Sequence, residues 1–379
     1  MTDVYPAGLD WVPDWSLNDD ERLPWYHDLS SVLRAGPVRA TLQLDYDEEV
    51  AFRARRAIVD TARDPSRPLL LVASFTHPHD PYEVPARLWD RYADVTIPPP
   101  RQPAPPEPLD ASTRRLRAMV DADRIPVSPE QVAAARRGYR AAISLVDDHV
   151  ASLLETLDEQ GLRDDTVVVV TADHGDMLGE RGLWYKMAPF EPSIRVPLIF
   201  AGAGVGEARR VAEPVSLLDL APTLVELGGG ACDDTELDGR SPAGAARGDP
   251  LDARDVPLEY LAEGVRSPQV TLVRGDLKLI RTLGELDVLY DLATDPDERN
   301  DLAGDPRAAD LAAEADRRWN LERLNADVRA SQGRRRLVAG ALATGAVTAW
   351  DHPSPDDGAS RYIRTGRDFW STLERARRV

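Results

Sequence analysis

The chain of 379 residues has a single cysteine, Cys232, in the run Gly-Gly-Gly-Ala-Cys-Asp-Asp, so an intramolecular disulfide is excluded. Scarce cysteine favours a reducing compartment, and a cytoplasmic setting is the expectation. Lysine is almost as scarce. It occurs only as Lys186 and Lys278, against a background of arginines, and this bias draws attention to Lys186. Clustered positive charge is also missing. A net charge of -19 and a pI near 4.8 argue against nucleic acid as a partner, since phosphate binding needs grouped cations, and leave room for a small cationic substrate. No apolar run reaches membrane-spanning length. The opening Met1-Thr-Asp-Val-Tyr-Pro has neither the basic leader nor the apolar centre of a signal peptide, so a soluble, unexported chain is expected. What is present suffices for a globular protein: with 42% hydrophobic residues, the length fits one large α/β domain and a smaller one.

The densest chemistry lies in Thr166-Val-Val-Val-Val-Thr-Ala-Asp-His-Gly-Asp-Met-Leu-Gly-Glu-Arg-Gly-Leu-Trp-Tyr-Lys186. Four consecutive valines predict a strand covered on both faces, as in a parallel sheet. The chain turns polar where that strand ends, which is where open α/β sheets bind ligands. Asp173 and His174 offer adjacent oxygen and nitrogen donors, Gly175 permits a sharp turn, and Lys186 follows on a short loop. A metal carrying an oxyanion suits these groups. Taken alone, Asp-His-Gly also fits a strand-end turn in which Asp173 caps a helix and His174 is a satisfied imidazole.

Pro68-Leu-Leu-Leu-Val-Ala-Ser-Phe75 predicts a second buried strand, running into Thr76-His77-Pro78-His79-Asp80-Pro81-Tyr82. The prolines stiffen that turn and hold the imidazoles, as a preorganised site requires, although His77 and His79 in such a loop also serve simply to satisfy backbone groups. Upstream, Tyr5, Trp11, Trp15, Trp25 and Tyr26 lie among prolines and acids and read as an irregular aromatic cap or a pocket lining. Residues 46–63 have helical periodicity, ended by Asp64-Pro65. The proline-rich stretch 98–109 predicts an extended surface excursion. A long helix runs from Pro129 to Gly161, with Asp147, Asp148 and His149 on its polar face. Arg195 to Ala201 predicts a strand, and Ser216 caps a helix. Beyond Gly239 a hairpin over Val270–Arg281 with a Gly-Asp turn, a strand at Val288, and a helix from Arg307 predict a short antiparallel sheet with a helix. The last thirty residues, from Trp350, read as a tail.

Asp-His-Gly-Asp, Gly-Glu-Arg-Gly-Leu-Trp-Tyr-Lys, Arg195-Val-Pro-Leu-Ile-Phe and Thr-His-Pro-His-Asp-Pro resemble the formylglycine-dependent sulfatases. So does Leu289-Tyr-Asp-Leu followed by Asp295-Pro-Asp-Glu-Arg-Asn-Asp-Leu-Ala. Four further pieces narrow the resemblance to choline sulfatases: Thr2-Asp-Val-Tyr-Pro-Ala with Trp11, Trp25-Tyr-His27-Asp-Leu-Ser-Ser-Val, Glu259-Tyr-Leu-Ala-Glu263-Gly, and Ala359-Ser-Arg-Tyr-Ile-Arg. The resemblance implies an alkaline-phosphatase-like α/β sandwich with a large mixed, mostly parallel sheet. It further implies a catalytic domain over 1–240, a C-terminal subdomain with a short antiparallel sheet over 241–345, and a tail over 346–379 acting as an intersubunit arm in a homo-oligomer. It implies hydrolysis of choline-O-sulfate, with Asp173 and His174 as ligands of a divalent metal, calcium or else magnesium or manganese. His79 and Lys186 become catalytic, with His77 beside them on the substrate. Trp11, His27 and Glu263 would surround the trimethylammonium group, joined by Asp357, or else Asp356, from a neighbouring tail. The chemistry is coherent: a quaternary ammonium donates no conventional hydrogen bond, so it must be held by an indole face and negative charge.

The family's Cys-x-Pro-Ser-Arg motif, source of the formylglycine nucleophile, is not among these residues: Cys232 is followed by Asp-Asp, and Asp64-Pro-Ser-Arg67 has no cysteine. Paired aspartates after a first strand and a Lys-x-His segment before Trp11 are missing too. The expectation is a chain without the first quarter of such an enzyme, its N-terminal strands included, inactive by itself and exposing apolar surface where those strands belong. Two alternatives stand beside it: a non-enzymatic remnant that binds quaternary amines, and a metal-dependent phosphatase or phosphodiesterase of the same superfamily.

Overall fold

In a computed structural model the described residues are 15–16, 28–105, 109–232, 237–262, 264–302, 304–344, 374 and 377–378. In chain order the strands are β1 (Gly36–Val38), β2 (Glu83–Pro85), β3 (Val167–Thr171), β4 (Leu198–Gly202), β5 (Asp255–Tyr260), β6 (Gln269–Arg274), β7 (Leu277–Thr282) and β8 (Val288–Asp291). The helices are α1 (Leu42–Arg63), α2 (Ala86–Asp90), α3 (Ala111–Met119), α4 (Pro129–Glu159), α5 (Glu191–Ile194), α6 (Leu220–Leu227), α7 (Ala243–Arg247), α8 (Pro306–Arg318) and α9 (Leu321–Ala343). The chain forms two compact units, each built from several stretches.

One unit comprises His27–Pro99, Ile125–Arg163 and Leu337–Val379. Thr41 starts α1 by accepting from the Leu44 amide, so the helix begins four residues before the predicted start at 46. Ser128 and Gln131 form a reciprocal capping box in front of α4, Pro129 occupies its first turn, and Gly161 with φ +69° follows its end, all as the sequence predicts. The short parallel pair of β1 and β2 packs on these helices through Val38, Leu44, Val84, Leu88, Ala141, Ala142 and Leu145. Gly138 of α4 is held to glycine by sterics, because a Cβ there would lie 2.4 Å from the Tyr82 carbonyl oxygen. That close approach seats the His77–Tyr82 turn against the helix.

Two expectations for this unit are overturned. His149 is buried rather than on a polar face, for it stands four residues after Leu145 and seven after Ala142, on the apolar stripe of α4. Its ring stacks on Phe75, with centroids 5.1 Å apart. The segment Pro68–Phe75 is not a buried strand. It is assigned to no strand, Leu70 and Val72 are 76% and 77% exposed, and Leu69 and Leu71 are exposed as well. A strand needs a neighbour to pair its backbone, and among the described residues none lies along this one.

The second unit comprises Met1–Tyr26, Pro100–Arg124 and Asp164–Arg336. The valine strand β3 pairs antiparallel with β4, Val167 opposite Gly202 and Thr171 opposite Leu198, which corrects the expected parallel strand covered on both faces. Its valines are only half-buried, and Ile199 of β4 is exposed. The predicted hairpin is present as β6 and β7, joined at Gly275-Asp276, within an antiparallel sheet ordered β5-β6-β7-β8. Its apolar face is closed by α8, where Leu279 and Leu289 meet Ala308, Leu311 and Ala315.

Candidate active site

In the second unit, Asp173 and His174 follow β3 directly. The Asp173 carboxylate accepts from the His174 amide at 2.9 Å, and its other oxygen lies 3.6 Å from His174 Nε2. His174 Nδ1 is 2.8 Å from the Gly175 carbonyl, which fixes the ring and presents Nε2 beside the carboxylate. Gly175 is required where it stands: its amide donates to Ser193 at 2.7 Å, and a Cβ would lie 2.1 Å from the Pro192 carbonyl oxygen. The Asp-His pair is therefore clamped between β3 and the start of α5.

The loop that delivers Lys186 is tightly built. Asp176 accepts from the amides of Leu178 and Tyr185, and Met177 donates to the Tyr185 carbonyl, closing the loop at its neck. Met177, Leu183, Trp184, Tyr185, Met187 and Phe190 are buried, while Lys186 between them is half-buried. Positive φ at Leu178, Arg181, Tyr185 and Met187 shows how sharply the backbone folds here. Arg181 is buried, lies 4.0 Å over the Phe190 ring and donates to the Glu298 carbonyl. Lys278, the other lysine, is fully buried on β7. Its Nζ pairs with Glu298 and, at 3.1 Å, with Glu191. Burial pushes the Glu298 carboxyl above its ordinary range, and Lys278 opposes that shift.

In the first unit, His77 is 4% exposed and its imidazole Nδ1 is 2.6 Å from Asp47. Asp47 accepts also from the amides of Thr76, at 2.6 Å, and His77, at 3.1 Å. Burial alone would raise the Asp47 carboxyl, but the hydrogen bonds from His77 and Thr76 outweigh it and hold the group below its ordinary value of 3.8. With Nδ1 engaged, His77 Nε2 is the nitrogen left for other work, buried and without a hydrogen-bond partner among the described residues. His79 is more open. Its Nδ1 is 3.0 Å from the Asp80 carboxylate, and Asp80 accepts in turn from the Ser31 hydroxyl at 2.7 Å. Burial lowers the His149 imidazole, with Glu48 and Asp47 pulling the other way, so that ring favours its neutral form.

Asp173, His174 and Lys186 thus share one unit, and His77 and His79 the other. Trp11, His27, Glu263 and Asp357, with its alternative Asp356, lie outside the described residues. Sequence reading missed Asp47, Asp80, Arg181 and Glu298. For Asp47 a signal existed: it falls in the series 44, 47, 51, 54, 58 on the buried stripe of α1, where a carboxylate needs a partner. The other three have no comparable mark.

A divalent cation finds two donors of suitable kind in Asp173 and His174, which face each other across a gap one ion can bridge. Among the described residues no group of three His, Cys, Asp or Glu side chains converges, so Asp173 and His174 do not by themselves make a complete cation site. Formylglycine does not fit. Cys232 has no Pro-Ser-Arg after it, and it follows a glycine run rather than the end of a strand.

The comparisons agree with the motif reading. The family model "Sulfatase" matches residues 2–230, "N-sulphoglucosamine sulphohydrolase, C-terminal" matches 179–326, and "Choline sulfatase enzyme C terminal" matches 326–378. The choline-sulfatase of Rhizobium meliloti (strain 1021) is 38% identical over 395 residues, covering all of this chain and 76% of that protein. The uncharacterized sulfatase YidJ of Escherichia coli (strain K12) is 30% identical over 308 residues, 78% of this chain and 59% of its own length. The fold likeness extends to the crystal structure of the putative sulfatase yidJ from Bacteroides fragilis, with a TM-score of 0.56 at 23% identity, covering 68% of this chain and 54% of that one. By identity over its whole length, the chain belongs to the sulfatases of the alkaline phosphatase superfamily, and among them to the choline sulfatases.

Proposed function

We propose that this chain is the substrate-binding and leaving-group-handling part of a choline sulfatase, acting on choline-O-sulfate in the cytoplasm. The observation that carries the reading is 38% identity to a choline-sulfatase over the entire chain. Hydrolysis of a sulfate ester needs charge stabilisation on the sulfuryl oxygens, a proton for the departing alkoxide and a nucleophile in line with it. Lys186 supplies a cation to the sulfate. Asp173 and His174 would hold a divalent metal, calcium by family, which would supply Lewis-acid charge stabilisation to the sulfate. His79, its Nδ1 held by Asp80, protonates the choline oxygen through Nε2, and His77, fixed by Asp47, stands two residues before it in the chain. Trp11 offers an indole face to the trimethylammonium group, with His27 and Glu263 around it and Asp357 reaching over from the tail of a second subunit. The segments follow these tasks: 1–240 for the sulfate, 241–345 for support of the Lys186 loop, and 346–379 for assembly.

No residue of the 379 serves as the nucleophile. Sulfate release from choline-O-sulfate is therefore expected to be nil for this polypeptide, whereas an extended polypeptide carrying Cys-x-Pro-Ser-Arg matured to formylglycine should turn over. Turnover by the 379-residue chain that survives Cys232→Ser would overturn the assigned roles. Failure of the extended polypeptide on choline-O-sulfate, with activity on an aryl sulfate or a phosphate monoester, would overturn the substrate.

A further inference from the structure

Where α1 passes α4 there is a cleft of about 170 Å³ whose walls contain no residue assigned to sulfate ester hydrolysis, and all of them belong to the first unit. Helical spacing builds it. Leu44 and Glu48 stand one turn apart on α1 with Asp45 beside them, and Leu145 and His149 stand one turn apart on α4. Leu44 and Leu145 are buried and give the cleft an apolar floor, whereas Asp45 and Glu48 are exposed. Phe75 covers a face of the His149 ring at 5.1 Å between centroids. The imidazole is 6% exposed, and its Nε2 has no hydrogen-bond partner among the described residues. A buried nitrogen that bonds to nothing is costly, and the adjoining cleft is the side from which a partner can arrive.

The lining selects the occupant at both ends. Arg87 is engaged by Asp148 at 2.9 Å, which leaves two carboxylates, Asp45 and Glu48, set against the single guanidinium of Arg39. That balance favours a cation. Burial lowers the His149 imidazole and Glu48 is first among the charges that oppose it, so the carboxylate and the ring border the same space. A bare metal ion is the wrong cation, because no three donor side chains converge among the described residues. At the inner end a hydroxyl both donates and accepts, so it satisfies Nε2 in either tautomer. Between the two ends a short alkyl chain matches Leu44 and Leu145. A cavity of roughly 150 Å³ takes up benzene, so this one has room for roughly seven non-hydrogen atoms. We propose that the cleft between α1 and α4 is a binding site for a short amino alcohol, its ammonium group held at Asp45 and Glu48 and its hydroxyl on His149 Nε2. Equilibrium binding tests it without turnover, so its failure leaves the assigned reaction untouched, and failure of that reaction leaves the cleft untouched.

Ethanolamine is the first probe, added to the 379-residue chain while nitrogen–proton correlation spectra of the histidine rings are recorded. The His149 signal is identified by its loss in His149→Phe. It should move saturably with ethanolamine, and ethylammonium, which keeps the charge and lacks the hydroxyl, should need a concentration at least about tenfold higher. Asp45→Asn combined with Glu48→Gln should weaken ethanolamine more than about tenfold while leaving the far-ultraviolet circular dichroism unchanged, because both side chains are exposed. Three results would each overturn the proposal: a His149 signal that ethanolamine does not move, an equal response to ethylammonium, or undiminished affinity in the folded double variant. Choline, the quaternary member of the class, separates two sources of the ligand. If it moves His149 at a lower concentration than ethanolamine, the occupant is the alcohol that the proposed reaction releases; the reverse order assigns the cleft to a primary amine.

Discussion

Two runs of similar composition meet opposite fates. Val270-Thr-Leu-Val273 of β6 and Leu69-Leu-Leu-Val72 are both short, aliphatic and uncharged. β6 lies between β5 and β7 with every residue from Gln269 to Val273 buried, and the same sheet is closed by α8. The other run, preceding the His77–His79 turn, has no strand beside it among the described residues and leaves its leucines in solvent. Hydrophobicity supplies a reason to be buried, but burial happens only where another element arrives with paired backbone and a matching face. The antiparallel sheet finds its partners within a few residues through tight turns. The Leu69–Phe75 strip does not.

That contrast is sharpest at the buried ion group under the sheet. Lys278→Met would leave Glu298 buried without its cation, and a loss of about 3–5 kcal/mol is expected by chemical denaturation. Lys278→Met combined with Glu298→Gln should recover part of that loss, since it also removes an uncompensated charge. A full loss in the double variant would show that packing, not charge, dominates there.

The next effect compares leucines directly. Leu289→Ala, in the closed core with Leu279 and Leu311, is expected to cost about 2–5 kcal/mol, against a change within about 0.5 kcal/mol for Leu70→Ala. Equal losses in urea melts would mean that Leu70 is covered in solution, and the comparison between the two runs would fail.

Smaller changes follow from titration. Asp47 has a carboxyl held below 3.8, so the unfolded chain binds its proton more readily. Its stabilisation is present above that value and is lost as pH falls through the folded-state value; Asp47→Asn should remove this part of the acid limb, measured as midpoint against pH. His149 behaves with the same sign in a higher window. Its imidazole is lowered from 6.5 by burial, so stability should decline as pH drops below about 6.5, and His149→Phe should flatten that slope. An unchanged slope would place the burial of His149 in doubt.

The sequence by itself determined the family, the Asp173-His174 and His77-Pro-His79 turns, the capped helix α4, and the hairpin of β6 and β7. Each of these is encoded in contiguous residues whose chemistry acts locally: a cap accepts an amide three positions away, and a Gly-Asp turn reverses the chain on the spot. Only the tertiary structure decided that Asp47 is the partner of His77 thirty residues on, that His149 lies on a buried stripe, and that Lys278 of β7 pairs with Glu191 eighty-seven residues away. It also decided that β3 pairs antiparallel and that Leu69–Phe75 lies open. Periodicity tells a strand which of its faces prefer burial, but it carries no information on which segment comes to lie alongside, because that choice is made by backbone pairing and packing between residues far apart in the chain.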